Sequence, residues 1–101
     1  MVNLGKLKQV WEMRKAAKSM QSALSDIVVT GEALRGQVKM TLDGNQKIMK
    51  VTIDPALMQP EHQQKVEEAI IDAHQNAHKE LQGIMKAKLQ SGELKMPDLK
   101  M

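Results

Sequence analysis

The hydrophobic period of this chain changes twice, from helical to alternating and back, and few folds accommodate that order. From about Asn3 to Ser25 there is no proline and one glycine, Gly5. Apolar positions recur there as Val10, Met13, Ala17, Met20, Leu24 and Ile27, at spacings of three and four, which is one face of a helix. Such a helix is roughly 23 residues, or about 35 Å, long. The β-branched run Ile27-Val28-Val29-Thr30 then reads as a strand. Gly31 and Gly36 bracket Glu32 to Arg35, a turn or wide loop. Val38, Met40 and Leu42 alternate with Gln37, Lys39 and Thr41 as a half-buried strand. Asp43-Gly44 signals a hairpin, because glycine tolerates the positive φ of such turns. In the run from Lys47 to Ile53, Met49, Val51 and Ile53 fall on one face and Lys50 and Thr52 on the other. Asp54-Pro55 caps a short turn, and Pro60-Glu61 opens a second long helix. Its stripe is Val66, Ala69, Ile70, Ala73, Ala77, Leu81 and Ile84, and Ser91-Gly92 stops it near Gln90. The expected fold is α+β: long helix, three-stranded antiparallel meander, long helix. Residues 1–90 form one domain, and 91–101 a flexible C-terminal tail.

This shape predicts a dimer. Three strands of about seven residues span only about 23 Å, whereas the second helix, at roughly 30 residues, is about 45 Å long. Both helices overhang the sheet, and an overhanging helix with an apolar stripe needs a cover. Leu4, Leu7 and Trp11 form a second stripe on helix 1, roughly 120° from the first. Ile71, Met85 and Leu89 flank the main stripe of helix 2. One sheet face cannot cover every direction, and the sheet edges are open. A two-fold homodimer covers all of it, with Leu4, Leu7, Trp11, Ile71, Met85 and Leu89 as dimer or partner contacts; the alternative is a monomer with frayed helix ends and some exposed apolar groups.

Composition narrows the function classes. With no cysteine, disulfides and thiolate metal sites are excluded. No apolar run reaches the roughly 18 residues of a membrane span, and the N-terminus has no signal-peptide core. Trp11 is the only aromatic residue, and nine methionines share the apolar load, packing adaptably rather than specifically.

A catalytic constellation is not visible. Ser19, Ser22 and Ser25 have no histidine nearby in sequence, and no glycine loop cradles a phosphate. His74 and His78, at i and i+4, have a spacing that can hold a metal, but Glu67 lies about 10 Å from His74 along the axis, too far to share the ion. They read as packing or surface histidines, and Asp43 and Asp54 as turn and cap residues. The expectation is a non-enzyme with no small-molecule substrate, no cofactor and no metal.

Charge is distributed unevenly. The formal net charge is only +3, yet helix 1 carries Lys6, Lys8, Arg14, Lys15 and Lys18 against one acid, Glu12. Lys8, Arg14, Lys15 and Lys18 fall within an arc of roughly 120°. Helix 2 begins acidic, with Glu61, Glu67, Glu68 and Asp72, and ends basic, with Lys79, Lys86 and Lys88. Clustered cations attract phosphate without reading sequence, and eight in a dimer would give a log–log salt slope of up to about −7. A merely solvated helix face has the same composition. A membrane surface, with Leu4, Leu7 and Trp11 as anchors beside the lysines, is the lesser third reading.

The middle of the chain carries a longer pattern: Val29-Thr30-Gly31-Glu32-Ala33, then Gly36-Gln37-Val38-Lys39-Met40-Thr41-Leu42-Asp43-Gly44, then Lys50-Val51-Thr52-Ile53-Asp54-Pro55-Ala56-Leu57. With the opening Asn3-Leu4-Gly5-Lys6-Leu7 and the tail Met96-Pro97-Asp98-Leu99, it resembles the YbaB/EbfC family of nucleoid-associated proteins over nearly the whole length. The resemblance implies a tweezer-like homodimer that binds double-stranded DNA with little sequence preference, in the bacterial cytoplasm and nucleoid or in a plastid. It implies a role in nucleoid organisation or gene regulation and engagement of DNA by the protruding helices. On this reading Lys8, Arg14, Lys15, Lys18, Lys79, Lys86 and Lys88 are the expected DNA contacts, and no membrane partner is expected. The competing expectation is a protein-interaction module that docks a partner on the Leu4, Leu7 and Trp11 stripe.

Overall fold

A computed structural model describes residues 4–93 of the chain. It contains α1 (Leu4–Ser25), β1 (Val28–Ala33), β2 (Val38–Asp43), β3 (Ile48–Ile53) and α2 (Gln63–Ser91). Single 3-10 turns lie at Leu34–Gly36, Pro55–Leu57 and Pro60–His62. The strands form one antiparallel sheet in the order β1-β2-β3. This is the α+β arrangement of long helix, meander and long helix that the hydrophobic periods predict. From residue 94 onward the expected flexible tail lies outside the described residues.

Pairing puts Val29 opposite Leu42, Gly31 opposite Met40 and Ala33 opposite Val38. Cross-strand partners share a face of the sheet, and α2 lies on this one, over β1 and β2. The core is Ile27, Val29, Val38, Met40, Leu42, Leu57, Ala69, Ala73, Ala77 and Leu81. Small residues on the buried face of α2 bring its backbone close to β1. The closest approach is at Gly31, where a Cβ would overlap the Ala73 carbonyl oxygen and the Ala77 amide nitrogen. Gly31 therefore does not open the loop expected there. β1 runs through it to Ala33, because the helix backbone occupies the space a side chain would need. The reversal comes next, with Leu34, Arg35 and Gly36 all at positive φ.

The β2–β3 turn also departs from its expected chemistry. Its left-handed residue is Gln46, at φ 66°, and Gly44 is not among the positive-φ glycines. A Cβ on Gly44 would run into the Leu24 backbone, and the Gly44 amide donates to the Leu24 carbonyl at 2.9 Å. Asp43 is buried, and its Oδ1 accepts from the amides of Asn45 and Lys47 at 2.8 and 2.9 Å. It is the turn residue the sequence suggests. Asp54 likewise caps its turn, Oδ1 accepting from the Ala56 amide at 2.9 Å.

A register shift between Thr41 and Leu42 pairs Leu42 with Ile48, so Met49 is the extra residue of a bulge. The inward row of β3 is thus Ile48, Val51 and Ile53 rather than Met49, Val51 and Ile53, since these stand opposite Leu42, Met40 and Val38. Ile53 packs partly against the core, while Ile48 and Val51 remain 52% and 44% exposed.

α1 contributes no buried residue. Its main stripe meets the core only at its C-terminal end, through Leu24 and the following Ile27. Val10 and Met13 are 45% and 56% exposed. The chain measures 64 × 34 × 19 Å, with a radius of gyration of 19.1 Å. A compact chain of this length would have about 13 Å. The helix overhang expected from element lengths is therefore present.

Candidate nucleic-acid interface

The outer face of α1 carries the concentration of cations. Lys8, Trp11, Glu12, Arg14, Lys15 and Lys18 line one shallow groove along it. Successive residues three, four and seven apart lie one above another on a helix, so the 8–11–15–18 spacing generates the groove directly from sequence. Glu12 is its single acid. No ion pair involves any α1 cation among the described residues. The four α1 cations expected from sequence are thus brought together, and Trp11 stands among them.

The groove continues at Lys18 into a second hollow lined by Gln21, Ser22, Ser25, Asp43, Asn45 and Lys47. Here the β2–β3 turn docks against the end of α1. Gly44 takes the Leu24 carbonyl, and Asn45 Nδ2 donates to the Gln21 carbonyl at 3.0 Å. Leu24 is among the last four carbonyls of α1, which lack partners within the helix, and it also accepts from the Ile27 amide at 3.0 Å. Lys47 joins the α1 cations in this way, although its position in a strand-turn segment gave no hint of it. The only available sequence signal was Gly44, whose close approach to Leu24 fixes the turn on the helix.

The α2 cations are dispersed. Lys79 lines a separate hollow with Gln46, His74, Gln75, His78 and Gln82. Lys86 is exposed. Lys88 pairs with Glu93 at 3.2 Å. About 100° per residue puts Lys79 and Lys86 on one side of α2 and Lys88 nearly opposite.

Of the apolar residues assigned to dimer or partner contact, Leu4, Leu7, Trp11, Ile71 and Leu89 are exposed, while Met85 packs partly against the core. The His74 and His78 rings stack with centroids 6.4 Å apart and planes 7° from parallel. His78 Nδ1 is buried without a hydrogen-bond partner. Among the described residues, no group of three or more potential ligands is placed to hold a metal, and no helix is long and apolar enough to cross a membrane.

A nucleoid-associated protein of Beijerinckia indica is 38% identical over 96 residues, covering 93% of this chain and 95% of its own. One from Synechococcus is 34% identical over 95 residues, covering 92% and 85%. One from Gloeobacter violaceus is 36% identical over 93 residues, covering 90% and 83%. Among solved structures, the uncharacterized protein HP0035 from Helicobacter pylori superposes with a TM-score of 0.59. That match covers 78% of this chain and 92% of that one at 18% identity, a likeness of fold. These relatives are bacterial and lend no support to the plastid alternative. The profile of the YbaB/EbfC DNA-binding family matches residues 1–96, spanning both helices and the meander between them, and the chain belongs to that family.

Proposed function

We propose that the chain is a non-enzymatic, nucleoid-associated protein of the bacterial cytoplasm that binds double-stranded DNA as a homodimer through its phosphates. The observation that carries this reading is the α1 groove, where Lys8, Arg14, Lys15 and Lys18 line one surface with a single acid. Lysine and arginine on a continuous helix face attract the polyanion without selecting bases, so little sequence preference follows. Lys79 and Lys86 add secondary contacts. Lys88 contributes less, because Glu93 already engages it.

The dimer is supported by two uncovered apolar surfaces, the α1 stripe around Val10 and Met13 and the Ile48 and Val51 positions of β3. A second copy would cover both and place a second α1 face on the assembly, as organisation or regulation of a nucleoid requires of a protein that bridges or coats DNA.

A duplex titration at two salt concentrations tests the DNA reading. Affinity for unrelated duplexes should fall steeply with salt, at a log–log slope of up to about −7 if all eight groove cations of a dimer meet phosphate. Changing Lys8, Arg14, Lys15 and Lys18 together to Gln should abolish most of that slope. Unchanged affinity would remove α1 from the interface.

A further inference from the structure

We propose that the α1 groove also accepts nucleic acid whose bases are unstacked, with Trp11 as the platform on which a base lies. This deepens the phosphate-binding reading above and rests on it. Trp11 is the only aromatic residue of the chain, and it is 71% exposed. Large aromatic side chains usually bury most of their surface, so an indole left in solvent lacks a role in its own fold. Its surroundings indicate the chemistry of what covers it. Lys8 lies one turn before it, Lys15 one turn after, Lys18 two turns after, and Arg14 beside it, all lining the same groove.

An intact duplex presents phosphates and sugars to such a surface and keeps the faces of its bases within the stack. Cations serve that contact, and an indole adds little to it. A single strand, a bulge or a frayed end offers a base face next to its phosphates. Cations tracking the backbone with an aromatic ring between them is the arrangement by which proteins hold single strands without reading sequence. From Lys8 to Lys18 the groove is about 15 Å long, room for a few nucleotides. Charge complementarity sets this occupant apart from an apolar protein surface, because a partner docking on Trp11 would bury the adjacent cations against the same ring.

The test uses the full chain and the fluorescence of its one tryptophan. The probes are a 20-nucleotide oligo-dT, a 20-base-pair duplex, the same duplex with an unpaired central bulge, and vesicles of phosphatidylglycerol. Oligo-dT and the bulged duplex should quench Trp11 at saturation more strongly than the intact duplex, which covers the groove without stacking a base on the ring. Trp11→Leu should weaken oligo-dT binding about tenfold, the order of one lost stack, and change intact-duplex affinity less than twofold. Trp11→Phe should restore most of the difference. The inference is overturned if Trp11→Leu weakens single strand and duplex equally or neither. It is also overturned if the variant changes only the sedimentation of the protein, which would make Trp11 a contact between copies. A blue shift with vesicles and no quenching by oligo-dT would assign the groove to a membrane surface and overturn it too. The parent reading fails separately, by the duplex affinity of the four-Gln variant.

Discussion

At Gly31, the Ala73 carbonyl and the Ala77 amide occupy the space of a side chain. Both obstructing groups are backbone in a long, hydrogen-bonded helix, so neither can rotate away. Gly31→Ala must therefore push α2 off β1, and overpacking of this kind costs about 3 kcal/mol or more. Gly83 provides the contrast, since a Cβ there meets nothing within 4 Å and its site is an exposed helix interior. Gly83→Ala should stabilise the protein by about 1 kcal/mol, the difference in helix propensity. Urea unfolding of the two variants checks both signs. Two glycine-to-alanine substitutions of equal chemistry with opposite effects would isolate the close approach at Gly31 as the cause.

The elements differ in how far their sequence announces them. Periodicity located both helices and all three strands, because burial on one side of an element is a local property of its sequence. Gly31 looks locally like a turn residue, but its glycine answers to α2, some 40 residues further on, and no local pattern carries that contact. The β3 bulge was hidden for a similar reason: Ile48 and Met49 are both apolar, and only pairing decides which one faces inward. In the candidate site, the cation groove on α1 was legible from residue spacing alone. The addition of Lys47 was not, since it depends on the turn docking against Leu24. α1 itself is the element whose stability its own chain explains least. It has no fully buried residue, and most helical stability in proteins comes from packing an apolar face rather than from propensity. Its protection against hydrogen exchange should therefore depend on protein concentration, with α1 amides exchanging much faster than those around Ala73 and Ala77 once the protein is diluted. Slow exchange in α1 that persists unchanged on dilution would show that a protomer stabilises it alone.

For the whole molecule, assembly and DNA binding should be inseparable. The elongated chain leaves the Met13 side of α1 open while its cations occupy the outer face. About 100° per residue puts Met13 roughly opposite Lys8, Lys15 and Lys18 around the helix, so covering the apolar stripe leaves the groove free. A dimer can thus close on one side of α1 and bind DNA with the other. Sedimentation at micromolar concentration should then give about twice the 11.3 kDa chain mass. Met13→Glu puts a charge into the covered stripe and should shift the species toward 11.3 kDa. It removes no groove cation, yet it halves the number acting together on one DNA, and the salt slope should fall from about −7 toward about −4. A Met13→Glu protein that sediments as a monomer but keeps the full slope would mean that each protomer meets DNA independently, and the tweezer arrangement would be wrong.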